Sequence, residues 1–105
     1  MSKSETIDIL KKYIALLNTE GFDVSQAFLF GSYSTGEAKE DSDIDVLIVS
    51  DKMSKPDEQT IGKAWMLTRK INSRIEPLFI NSDRFYSNEN SPLIENIKEK
   101  GIEIV

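Results

Sequence analysis

Gly31-Ser-Tyr-Ser-Thr-Gly-Glu-Ala-Lys-Glu-Asp-Ser-Asp-Ile-Asp-Val-Leu-Ile-Val49 decides how the remainder of this chain is read. A Gly-Ser pair follows the apolar run Ala27 to Phe30, ten residues separate Ser32 from Asp43, and Asp43-Ile44-Asp45 leads straight into a second apolar run, Val46 to Val49. Side chains alternate along a strand, so Asp43 and Asp45 share one face and Ile44 takes the other. Two carboxylates so placed repel one another and call for a neutralising partner; their hard oxygens suit Mg²⁺ or Mn²⁺. Gly31 permits close backbone approach, and Ser32 adds a hydroxyl and an N–H to a turn able to cradle phosphate. Each half alone has a plain reading, a turn for Gly-Ser and a solvated strand edge for Asp-x-Asp. The two at this separation, each attached to an apolar strand, point to a nucleotide and metal site.

Elsewhere the composition narrows the chemistry. The 105 residues include neither His nor Cys, which removes the usual zinc ligands and any Ser-His-Asp or Cys-His nucleophilic arrangement. Thirteen basic residues are scattered among 18 acidic ones, a net charge of −5, so a nucleic-acid backbone is not the expected partner. A single nucleotide arriving with its metal is compatible with such a surface. The length suits one domain over residues 1–105, and no signal or membrane-spanning stretch is evident, so a cytoplasmic protein is expected.

Gly-Ser, ten residues, then Asp-x-Asp resembles the signature of the DNA polymerase β-like nucleotidyltransferase superfamily, and the length resembles its minimal members. The resemblance implies that Gly31 and Ser32 hold nucleotide phosphates, that Asp43 and Asp45 hold divalent metal, and that a third carboxylate lies on a later strand. Glu76, in the otherwise apolar Ile75-Glu76-Pro77-Leu78-Phe79-Ile80, matches that third position, where many relatives carry Asp. Its plain alternative is a pairing with Arg74 on the same strand face. A basic residue often found in the family near Thr35 is missing; Lys39 or an Arg elsewhere would have to substitute. Minimal members are typically encoded beside a helical HEPN-type toxin, which the nucleotidyltransferase adenylylates as antitoxin. The resemblance therefore implies transfer of AMP from ATP to a hydroxyl acceptor on such a partner. A contact-only antitoxin and a small-molecule nucleotidyltransferase are the alternatives.

The fold expected is α/β, a small mixed sheet with about three helices, similar to the polymerase β palm. Ser2 to Glu5 forms a capping box before Ile7, Leu10, Ile14 and Leu17, predicting a helix over about 3 to 19, with Tyr13 partly exposed beside the stripe. Strands are predicted at Val24 to Phe30, Asp43 to Ser50 and Arg74 to Ile80, the first two antiparallel and the third irregular or at an edge because of Pro77. After a polar turn from Asp51 to Pro56, a second helix is predicted over Asp57 to Asn72, with Ile61, Trp65, Thr68 and Ile71 as its core stripe and Lys63, Arg69 and Lys70 as a solvated face. Asn81 to Asn90 reads as a loop or short turn whose Phe85 and Tyr86 could cover the nucleotide. Ser91 caps a last helix that starts with Pro92 and stops at Gly101, before a small edge strand over Ile102 to Val105.

Overall fold

The computed structural model describes residues 1–51 and 58–105, and most of the predicted turn from Asp51 to Pro56 lies outside them. A four-stranded sheet runs β3-β2-β1-β4, with β1 (Val24–Phe30) antiparallel to both β2 (Ile44–Ser50) and β4 (Ile102–Glu103), and β2 parallel to β3 (Ile75–Ile80). Central β2 is apolar without a break from Val46 to Val49, where both its faces are covered. Pro77 stands on edge strand β3, where a missing N–H costs least.

Five helices occur among the described residues rather than three: α1 (Lys3–Thr19), α2 (Ser32–Thr35), α3 (Glu58–Ile71), α4 (Ser82–Phe85) and α5 (Pro92–Lys100). The two additions are single turns, in segments too short and polar for any periodicity to show. The capping box of α1 is present, Glu5 N–H donating to Ser2 Oγ at 3.0 Å and Ser2 N–H to Glu5 Oε1 at 3.3 Å. Ser91 caps α5 with Pro92 in its first turn, as expected.

Helices α1 and α3 cover one face of the sheet, where Leu10, Tyr13, Ile14 and Leu17 meet Ala27, Leu29, Ile44, Val46, Ile48 and Ile75. On the other face α4 and α5 enclose a smaller core of Phe28, Leu47, Val49, Ile80, Phe85, Ile94 and Ile97. A register shift between Val24 and Gln26 lets Val24 join the first core although its number has the parity of the second.

Four side chains differ from expectation. Tyr13 is fully buried, its hydroxyl donating to the Ala64 carbonyl at 2.8 Å, because small Ala64 lets α3 approach α1 closely. Trp65, one position further round α3, is turned out and 43% exposed, so it is not a core residue; Ala64, Leu67 and Thr68 form the buried stripe. Phe85 is buried and stacks on Phe28, and Tyr86 donates to Gln26 beyond it. Gln26 pairs with Val49, towards the far end of β2 from Asp45, so neither ring covers the predicted site.

Candidate active site

The predicted residues meet at one end of the sheet, where β1 finishes and β2 and β3 begin. Phe30 is in register with Asp45, and Asp45 with Glu76, so one cross-sheet row carries two of the carboxylates. Asp43 lies one residue before β2, a small correction to the predicted boundary, two positions from Asp45 as the alternation requires. These acids share a face with Leu47 and Val49, beyond the rim of the smaller core. The long acidic side chains therefore reach solvent while their strands stay anchored.

Gly31 turns the chain from β1 into α2 with φ +76°, a conformation that disfavours other residues. A Cβ there would overlap Asp45 Oδ2. Glycine therefore brings bare backbone against the carboxylate, which joins the Gly-Ser half of the motif to its Asp-x-Asp half in space. The Gly31 carbonyl accepts the Ser34 hydroxyl at 2.8 Å, and buried Tyr33 anchors the turn from beneath. Ser32 is left half-buried beside the carboxylates with its hydroxyl unbonded among the described residues.

Charge crowding is the main electrostatic feature. Asp45 is held above the ordinary carboxylate range by burial and then by the charge of Asp43. Glu76 is raised likewise by desolvation, then by the charges of the neighbouring Asp43 and Asp45. The three acids thus interact as a group. In the present side-chain positions no three acidic groups among the described residues converge on one ligating point. The donor set nonetheless suits a hard divalent ion in chemistry.

The plain alternative for Glu76 is not what forms. Arg74 donates to the Glu40 carbonyl, and the ion pairs among the described residues, Lys63 with Glu20 and Lys98 with Glu95, lie elsewhere. Lys39 contributes backbone to a turn, its N–H donating to Ser42 Oγ at 2.8 Å, and forms no ion pair among the described residues. Arg74, expected from the sequence as a possible partner for Glu76, instead bonds a backbone carbonyl 34 positions away, a contact that leaves no local signal.

Comparison with known proteins agrees with this geometry. Residues 7–104 match the nucleotidyltransferase domain family. The chain belongs to that family. Over 53 residues the nucleotidyltransferase domain is 40% identical to a protein of Methanocaldococcus jannaschii provisionally named a protein adenylyltransferase, a match covering 50% of this chain and 52% of that one. The chain thus spans about half the length of that curated relative. A crystal structure of a provisionally assigned nucleotidyltransferase from Sulfolobus solfataricus superposes with a TM-score of 0.59 at 17% identity, over 78% of this chain and 72% of the other. A toxin-antitoxin crystal structure with AMP-PNP superposes at 0.66 and 21% identity, over 90% of this chain and 71% of the other. At these identities the structural likenesses establish the polymerase β-like α/β fold. No helix among the described residues is long and apolar enough to cross a membrane.

Proposed function

We propose that this nucleotidyltransferase moves AMP from ATP onto a hydroxyl of a partner protein of HEPN type, as the antitoxin of a toxin-antitoxin pair, working in the cytoplasm as one domain over residues 1–105. The observation that carries the reading is the close approach of Gly31 to Asp45, which sets a bare backbone turn against a carboxylate group. The name of the archaeal relative and the AMP-PNP-bound neighbour favour ATP and a protein acceptor.

In this reading Gly31 and Ser32 hold the phosphates that depart, and Asp43, Asp45 and Glu76 hold Mg²⁺ or Mn²⁺. The bound metal supplies charge neutralisation for the phosphates. Where Glu76 is not itself a metal ligand, it takes the proton from the acceptor hydroxyl, its affinity for protons raised by desolvation and by its acidic neighbours. The acceptor oxygen bonds to the α-phosphorus as the bond to the β-phosphate bridging oxygen breaks, and pyrophosphate leaves. Positioning carries most of the acceleration in such reactions, which a small domain with a rigid sheet end can provide.

The test is intact-mass analysis of the protein encoded next to this one after incubation with the domain, ATP and Mg²⁺, beside an Asp43→Asn, Asp45→Asn control. A gain of AMP units with the unaltered domain alone is the expected result. Tight binding with no mass gain would sink the catalytic reading and favour neutralisation by contact. If purified small hydroxyl compounds took up AMP without any partner, a small-molecule nucleotidyltransferase would replace the protein-directed one.

A further inference from the structure

Arg74 grips the chain on both sides of Asp43. Its guanidinium donates to the Glu40 carbonyl, three residues before Asp43, and its own carbonyl accepts the Ile44 N–H, one residue after it, at 2.9 Å. Arg74 is itself placed by the turn out of α3, where its N–H donates to Asn72 Oδ1 at 2.9 Å and the Ile75 N–H to the Asn72 carbonyl at 3.2 Å. Two residues on, in strand register with Asp45, stands Glu76.

The segment so held has a reason to move away. Glu37, Glu40, Asp41 and Asp43 lie in the connection from α2 to β2, with Lys39 as its single cation, and the charge of Asp43 bears on both Asp45 and Glu76. Repulsion among carboxylates favours splaying, and outside β2 Asp43 has no strand ladder of its own to resist it. The guanidinium is spent on a backbone carbonyl and forms no ion pair with any acid among the described residues, so its bond acts on the position of the chain.

We propose that Arg74 is the positioning residue that holds Asp43 against Asp45 and Glu76, so that the three carboxylates can serve one divalent cation. The inference rests on the metal-dependent reading given above. It has a sign that separates it from simple charge effects. Deleting a nearby positive charge by itself strengthens cation binding to a carboxylate cluster, whereas losing the clamp weakens it.

Titration calorimetry of Mn²⁺ into the metal-free protein, with Arg74→Gln and Arg74→Lys variants, reads this directly without any acceptor. Arg74→Gln is expected to weaken Mn²⁺ binding about tenfold, the low end for loss of an outer-shell support. Amide exchange over residues 41–43 should quicken in the same variant while the thermal midpoint stays near that of the unaltered protein. Arg74→Lys, which keeps a donor for the Glu40 carbonyl, should recover most of the affinity. Equal or tighter Mn²⁺ binding by Arg74→Gln would overturn the proposal and leave the metal reading intact. Failure of the unaltered protein to bind Mn²⁺ would overturn both.

Discussion

Asp45 presses its carboxylate against the backbone of Gly31 and has Asp43 and Glu76 for neighbours, so ionising it costs the fold free energy. Its folded-state pKa lies above the unfolded one. Between those two values the native chain holds more protons, and stability rises as pH falls through that window; above it the full penalty applies. Asp45→Asn should therefore raise the thermal midpoint in metal-free buffer at neutral pH. Screening by solvent limits the gain to about 1–4 °C. The advantage should close as pH falls through the folded pKa, which melting curves across pH would show. On the proposed metal-holding role of Asp45, the same variant should lose transfer activity by ~10²-fold or more in the intact-mass assay.

Between elements, the bond that ties α1 to α3 runs from Tyr13 to the Ala64 carbonyl. Burial pushes the phenol pKa well above its ordinary value, so the group stays a neutral donor at any working pH. Tyr13→Phe keeps the packing and removes the bond, which should cost about 0.5–1.5 kcal/mol and lower the melting midpoint by several degrees. An unchanged midpoint would show that this hydrogen bond adds nothing to the apolar contact and the Lys63–Glu20 ion pair that also join the two helices. The stripe on α1 was plain in the sequence, since Leu10, Tyr13, Ile14 and Leu17 recur at helical intervals. On α3 the larger residue misled: Trp65 outranks Ala64 in hydrophobicity, but only a small side chain fits where the helices cross.

For the whole molecule, both cores depend on β2. Leu47 is fully buried in its centre, facing the smaller core under α4 and α5. Leu47→Ala should cost about 2–5 kcal/mol, against a total of about 5–15 kcal/mol for a domain, and urea unfolding followed by circular dichroism would read it. Trp65→Ala should cost about 1 kcal/mol or less by the same measurement, since nearly half of that side chain is already in water. If the two variants proved equal, the division of the sheet into two anchored faces would need revision.

Features that live within a short stretch were decided by the sequence alone. Alternation puts Asp43 and Asp45 on one face, the capping box starts α1, Ser91-Pro92 starts α5, and the unbroken apolar run of Val46 to Val49 marks a strand covered on both sides. These follow from backbone geometry and local hydrogen bonds, which operate over a few residues. Tertiary structure decided the rest. Glu76 reaches Asp43 because β3 pairs in parallel with β2; Gly31 touches Asp45 because α2 folds back over the β2 entrance; Arg74 finds the Glu40 carbonyl only after α3 has crossed the sheet. Such contacts join residues far apart in the chain, so they are set by the packing of whole elements, and no local pattern of residue types records them.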